Sequence, residues 1–287
     1  MKNNSNDSYI ADNRRGNVPR LAMFNDIAGF GRCSSTVALP IISVLGVQAC
    51  PVPTSILSNH LGFPVWQLED YTPHMHDYIE AWRRLDLHFE GLYCGFLNNP
   101  EQLDVVREFL AAFHPGFFLL DPVMGDHGRL YSTVTEAHCE QLRLLSAHAD
   151  ILTPNLTETF LLTGTPYRSD ASDDLLLSMC GQLQQLCPKG KIVITGIPRK
   201  NGLVNLIFEK GHAEAVFSET AGASRPGTGD IFASILAADA LNGEPLSLSV
   251  RKAADFICRC IRGSEQAGIP VQEGVIFERY LSTLCRS

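Results

Sequence analysis

Phe117-Phe118-Leu119-Leu120-Asp121-Pro122-Val123-Met124-Gly125-Asp126 and Asp150-Ile151-Leu152-Thr153-Pro154-Asn155-Leu156-Thr157-Glu158 follow one pattern. Each is a short apolar run that breaks into polar residues around a proline. An apolar run this short predicts a strand buried on both faces, as in a parallel sheet, since a strand with one wet face would alternate. Leu21–Phe24, Gly91–Tyr93 and Ile192–Thr195 read the same way, which makes five expected strands with Phe117–Leu120 and Asp150–Leu152. Helical periodicity lies between them: in Glu101–His114, Leu103, Val106, Leu110 and Phe113 fall on one face. Buried strands alternating with amphipathic helices predict an α/β fold with a mainly parallel central sheet flanked by helices. Leu203–Phe217 differs, because two runs flank Glu209-Lys210-Gly211 and predict an antiparallel hairpin at one sheet edge. Two or three helices are expected from Gly229 to the C-terminus.

Open parallel sheets bind ligands at the carboxyl ends of their strands. Asp121 stands at such an end, where a carboxylate is costly unless a cation or hydrogen-bond donors meet it. After the next strand, Pro154 favours a helix start, and the i, i+3 spacing sets Asn155 and Glu158 on one helix face. Asp121, Asn155 and Glu158 together suit Mg²⁺, held directly or through waters. Asn155 and Glu158 also suit an N-cap and its capping-box partner, and both roles can hold at once.

The strongest local signal is Arg225-Pro226-Gly227-Thr228-Gly229-Asp230, followed by the apolar run Ile231–Leu236. The glycines allow a tight turn and close approach of the backbone to a ligand. A helix starting there presents free N–H groups and the positive end of its dipole. Such a nest suits charge developing on a transferred phosphoryl group, and Asp230 beside it suits proton acceptance from a hydroxyl. The alternative is a plain turn with Thr228 or Asp230 capping a helix.

Bulk properties set limits. The chain has 287 residues, of which 45% are hydrophobic and 19% charged, an ordinary globular composition. Its net charge of −8 argues against nonspecific nucleic-acid binding. Nine scattered cysteines without a CxxC pair fit neither a disulfide framework nor a zinc site, and are expected as free thiols in a reducing cytoplasm. Residues 1–19 are polar and lack a signal-peptide core, so a disordered tail is expected ahead of a single domain over 20–287. No apolar run approaches membrane-spanning length, and a cytoplasmic location away from membranes is expected. Neither the Walker A sequence nor the HRD and DFG signatures of protein kinases occur.

PGTGD opening a helix, DPVMGD after a strand and TPNLTE after the next resemble the ribokinase superfamily. Within it they match the vitamin B6 kinase and hydroxymethylpyrimidine kinase branch, in order, from about Leu21 to Ala240. The N-terminal half favours the B6 side. Ser58-Asn59-His60 follows the second strand region, where pyridoxal kinases line the substrate pocket, and Asn25-Asp26 follows the first, where they contact the pyridine ring. Cys94-Gly95-Phe96-Leu97 resembles their loop beneath the substrate. The chain departs from the pattern at Asn25, where serine is frequent, and at Leu61, where threonine is.

The resemblance implies a three-layer α/β/α fold and transfer of the terminal phosphate of ATP to a hydroxymethyl group. By it Asp230 is the general base, and Gly227, Thr228 and Gly229 form the anion hole. Asp121, Asn155 and Glu158 serve the phosphates, with Asp121 and Glu158 toward Mg²⁺, and Thr195-Gly196 lies near the nucleotide. Asn25, Asp26, Ser58, His60, Leu61 and Phe96 line the acceptor pocket with Asp230, although His60 equally suits a hydrogen-bonded structural role. A monovalent cation such as K⁺ is a further candidate, and a homodimer is implied. Gly125–Tyr131 is either a flap over the nucleotide or an ordinary surface loop. A hydroxymethylpyrimidine kinase, a sugar kinase and a non-catalytic nucleotide- or B6-binding sensor are the rival functions.

Overall fold

The protein is described by a computed structural model over residues 18–285. The expected N-terminal tail lies outside these residues except for Val18 and Pro19, and the Pro19 carbonyl already accepts from Gln48 N–H at 2.8 Å. The first half runs β1 (Arg20–Ala28), α1 (Ser34–Val44), β2 (Gln48–Leu57), β3 (Leu68–Asp70), α2 (Thr72–Arg84), β4 (Gly91–Cys94), α3 (Pro100–Phe113) and β5 (Phe118–Leu120). There follow β6 (Gly125–Asp126), β7 (Arg129–Leu130), α4 (Glu136–Leu145), β8 (Ile151–Leu152), α5 (Leu156–Thr163) and α6 (Asp173–Leu186). The chain ends through β9 (Lys191–Arg199), β10 (Gly202–Glu209), β11 (His212–Glu219), α7 (Thr228–Leu241) and α8 (Leu246–Gln266), with short 3-10 turns after it.

Nine strands form one sheet in the order β11-β10-β9-β8-β5-β4-β1-β2-β3. The five central junctions, from β9 to β2, are parallel, and the outer ones are antiparallel. Alternate residues of each central strand enter different cores. Ala22, Phe24, Leu92, Cys94, Phe118, Leu120, Ile192 and Ile194 pack on the side holding α2 to α6. Leu21, Met23, Tyr93, Leu119 and Val193 pack on the side holding α1, α7 and α8. With both faces covered, every position wants an apolar side chain, so these strands read as unbroken apolar runs. The result is the expected α/β/α sandwich.

Local chemistry sets the boundaries. Asn99 caps α3 by accepting from Glu101 N–H at 3.0 Å, Pro100 opens it, and His114 ends it in the left-handed conformation (φ 46°). The expected hairpin is β10–β11, at the sheet edge, closed by Lys210 (φ 50°) and Gly211 (φ 83°). Two positive φ values in a two-residue turn match the twist of paired strands.

Two strands run beyond their expected ends. β1 continues from Phe24 to Ala28 because β2 still pairs with it there, after a register shift between Asn25 and Ile27. Pairing to β4 stops at Phe24, so Asn25 and Asp26 sit at a bulge, not after a strand. β9 likewise passes Thr195 to reach Arg199 by pairing with β10, across an irregularity opposite Asn205. Gly196 bends there with φ 62°, and its N–H donates to Asn205 Oδ1 at 3.0 Å. Gly125–Tyr131 forms the small β6–β7 hairpin, its Gly128 N–H donating to Thr157 Oγ1 at 2.9 Å.

Candidate active site

The carboxyl ends of β1, β4, β5 and β8 bring the site together with the start of α7. Gly227 precedes that helix with φ 80°, and a Cβ there would lie 1.9 Å from the Arg32 carbonyl oxygen. Only glycine fits both the conformation and the contact. The first N–H groups of α7 lack intrahelical acceptors, as at any helix start. Thr228 does not cap the helix; its hydroxyl donates back to the Arg225 carbonyl at 3.0 Å. Asp230 does not cap it either.

Asp230 is instead held from two other elements. Its Oδ2 accepts from Ser34 N–H at 2.8 Å, at the start of α1, and its Oδ1 accepts from Asn25 Nδ2 at 3.1 Å. Asn25 is fully buried, and its Oδ1 accepts from the N–H groups of Asp26 (3.1 Å) and Phe96 (3.0 Å). Its amide therefore ties β1, the β4 loop and Asp230 into one network through three hydrogen bonds.

Asp121 lies across from this turn, its Oδ2 4.0 Å from where a Gly229 Cβ would stand, and its Oδ1 accepts from the Thr153 hydroxyl at 3.1 Å. Glu158 is buried. Its Oε2 accepts from Asn155 N–H at 2.8 Å while Asn155 Oδ1 accepts from Glu158 N–H at 2.9 Å, a complete capping box. Glu158 Oε1 accepts from Met124 N–H at 3.1 Å, which fastens the segment after β5 to α5. Asn155 Nδ2 donates to the Gly125 carbonyl at 2.8 Å. Thr195 joins this corner by donating its N–H to Pro154 O at 2.9 Å, with Gly196 exposed beside it.

Electrostatically the site is overloaded with carboxylates. Burial, then the charge of Asp230, raises Asp121 to about 8 against the pull of the Thr153 hydrogen bond. Burial raises Asp26 to about 7, opposed by Ser34, and Asp230 adds to the rise. Glu158 is pushed well up by burial and by Asp121, and Asp230 is raised by burial. Asp26 Oδ1 is buried with no hydrogen-bond partner. Acidic groups that raise one another in this way call for a cation or a proton-donating ligand. Among the described residues, no group of three or more His, Cys, Asp or Glu converges on one point. The donor set therefore fits a hydrated Mg²⁺ shared with phosphates, held by one or two carboxylates.

The residues expected to line an acceptor pocket divide. Phe96 is half-buried, its N–H bonded to Asn25 and its carbonyl accepting from Thr54 Oγ1 at 2.9 Å. Ser58 is exposed and engaged with Asn59 Oδ1 (2.8 Å) and Gln67 N–H (2.9 Å), and Leu61 is half-buried in the same loop. His60 Nδ1 accepts from Gly62 N–H at 3.1 Å, so Nε2 carries the proton and donates to Gln272 O at 2.7 Å. The ring thus has the structural partners that its sequence context left open.

Three contributors were not singled out from sequence. Ser34 supplies a backbone N–H from a residue with φ 54°, Thr153 supplies a hydroxyl, and Arg225 supplies a buried guanidinium. The only sequence signal for Ser34 is the polar run Arg32–Thr36 ahead of the apolar Val37–Ile42, a helix start.

Comparison with known proteins bears on this geometry. The model of the phosphomethylpyrimidine kinase family matches residues 40–275. The chain belongs to that family. It is 26% identical to the pyridoxine/pyridoxal/pyridoxamine kinase of Bordetella pertussis, over 83% of this chain and 87% of that protein. It is 28% identical to the hydroxymethylpyrimidine/phosphomethylpyrimidine kinase of Aquifex aeolicus, over 64% of this chain and 71% of that one. A crystal structure of a candidate phosphomethylpyrimidine kinase from Bacteroides thetaiotaomicron, in a form with pyridoxal, superposes with TM-score 0.89 at 33% identity. The match covers 93% of this chain and 96% of the other. Family and fold agree with the ribokinase-like expectation. No helix among the described residues is long and apolar enough to cross a membrane.

Proposed function

We propose that the protein is an ATP-dependent kinase that phosphorylates the 5′-hydroxymethyl group of vitamin B6: pyridoxal, pyridoxine or pyridoxamine. The observation that carries this is the setting of Asp230. Its carboxylate is fixed by Asn25 and Ser34 in the first turn of α7, directly after the left-handed Gly227 that opens the helix. A pure binding protein has no use for a base held there.

Asp230 accepts the proton of the acceptor's CH₂OH, and the freed oxygen attacks the γ-phosphorus of ATP. The bond from phosphorus to the β–γ bridging oxygen breaks, and ADP leaves with that electron pair. The N–H groups of Gly227, ahead of α7, and of Thr228 and Gly229, at its start, receive the charge on the transferred group, and positioning supplies most of the acceleration. Asp121 and Glu158 are the residues suited to Mg²⁺, with Asn155 holding Glu158 in place. Bound there, Mg²⁺ neutralises phosphate charge. Thr195 and Gly196 border the nucleotide, and Asp26, with its partnerless oxygen, offers an acceptor for a donor on the ring. Phe96, Leu61 and Ser58 line the approach. A cytoplasmic homodimer belongs to the same proposal.

Pyridoxal in the Bacteroides crystal supports the B6 substrate. The second reading, a hydroxymethylpyrimidine kinase with the same machinery, is supported by the Aquifex relative. A competition assay separates them: both acceptors are offered with ATP and Mg²⁺, and the products are resolved by mass. Preferential formation of a B6 5′-phosphate supports the first reading. Preferential formation of the pyrimidine phosphate replaces it with the second.

A further inference from the structure

Arg225 stands two residues before Gly227, and the steps above give it no task. It is only 5% exposed. Its Nη1 donates to three carbonyl oxygens of the segment after α8: Ile269 at 3.0 Å, Pro270 at 3.1 Å and Gly274 at 3.1 Å. The carboxylate of Glu265 lies 4.0 Å from Nη2, is itself part-exposed, and accepts from Ala223 N–H. Nε is buried without a partner. The guanidinium is therefore solvated mainly by carbonyl dipoles and not by a close ion pair. A buried cation survives only where such dipoles replace its hydration.

Convergent backbone carbonyls are also how proteins replace the hydration shell of K⁺. Here a nitrogen already fills the cradle. The same segment backs the anion turn. A Cβ on Gly274 would lie 2.7 Å from the Arg32 carbonyl oxygen and 3.2 Å from that of Pro226. Arg32 donates to the Glu273 carbonyl through both its N–H (3.2 Å) and Nη1 (3.3 Å). Whatever fills the cradle thus fixes the backbone on which Gly227 rests.

We propose that Arg225 is a built-in cation: it occupies a carbonyl cradle that would otherwise take a monovalent ion, and it holds the anion turn in place without one. The K⁺ expectation from the family resemblance does not fit this chain at that cradle. Arg225 is on this account a positioning residue, and its role in turnover rests on the kinase reading. Ion preference is measurable apart from turnover.

The test compares thermal melts and turnover in KCl, NaCl and tetramethylammonium chloride at equal ionic strength. For the wild type, the expected result is one Tm in all three salts and turnover within about twofold. Arg225→Met empties the cradle, and its lowered Tm is expected to rise specifically in KCl. Arg225→Lys keeps a charge there and is expected to stay indifferent to K⁺. A K⁺-specific rise in wild-type Tm, about tenfold K⁺ activation of the wild type, or a folded Arg225→Met that ignores K⁺ overturns the proposal. If Arg225→Met does not fold, the wild type and Arg225→Lys decide. If no acceptor is turned over, the kinase reading fails while the melts still judge Arg225.

Discussion

The side-chain amide of Asn25 donates to Oδ1 of Asp230 at 3.1 Å, joining residues 205 apart in the chain. With Ser34 N–H on the other oxygen, the carboxylate is fixed in direction before any substrate arrives. Preorganisation of this kind keeps the reorganisation cost out of the chemical step.

Asn25→Ala removes that donor and also orphans the N–H groups of Asp26 and Phe96. A hydrogen bond to a charged group contributes about 1.5–3 kcal/mol, so kcat is expected to fall about 10- to 100-fold. The KM for ATP should stay close to that of the wild type, because Asn25 bonds to Asp230 and not to the Asn155–Thr195 corner proposed for the nucleotide. Steady-state kinetics with varied ATP check this. A large rise in the KM for ATP with kcat unchanged would remove Asn25 from the role of orienting the base.

Gly227→Ala is expected to abolish turnover. The substitution puts a side chain into left-handed backbone, at a cost of about 1–3 kcal/mol, and drives its Cβ against the Arg32 carbonyl. Gly164 also has a positive φ, 65°, but nothing lies within 4 Å of its added Cβ. Gly164→Ala should therefore lower Tm while leaving turnover largely intact. Melts and assays of the two variants separate backbone strain from loss of the proposed anion turn.

The carboxyl cluster makes stability depend on pH and on divalent cations. Asp26, at about 7, and Asp121, at about 8, hold protons in the fold to higher pH than in the unfolded chain. The native state thus binds more protons between pH about 4 and about 8, and its stability falls as pH rises through that window. Melts in EDTA should show Tm declining from pH 5.5 to 8. Added Mg²⁺ should restore Tm more at pH 8 than at pH 5.5, since only the ionised carboxyls attract it. A flat Tm in EDTA would contradict the assigned carboxylate environment.

How much of this was legible in the sequence follows from what each feature depends on. Leu21–Phe24, Phe117–Leu120 and the Leu203–Phe217 hairpin depend on local pattern, and each appears close to its expected place. The Asn155–Glu158 capping box was legible too, because both partners lie within one helical turn. The extension of β1 through Asn25 was not, since it depends on β2 continuing alongside. Nor were the Asn25–Asp230 bond, the Ser34 donor or the carbonyls around Arg225. Those partners are distant in sequence, and no local period or spacing encodes them. His60 shows the same limit, because its partner Gln272 lies 212 residues away.

The most direct test is turnover of pyridoxal, pyridoxine, pyridoxamine and hydroxymethylpyrimidine with ATP and Mg²⁺, by the wild type and Asp230→Asn side by side. The expected result is fast phosphorylation of at least one B6 vitamer by the wild type. Asp230→Asn should lose about 10²–10⁴-fold in rate while still binding nucleotide. Silence of the wild type on all four acceptors, or a near-normal rate in Asp230→Asn, would contradict the account.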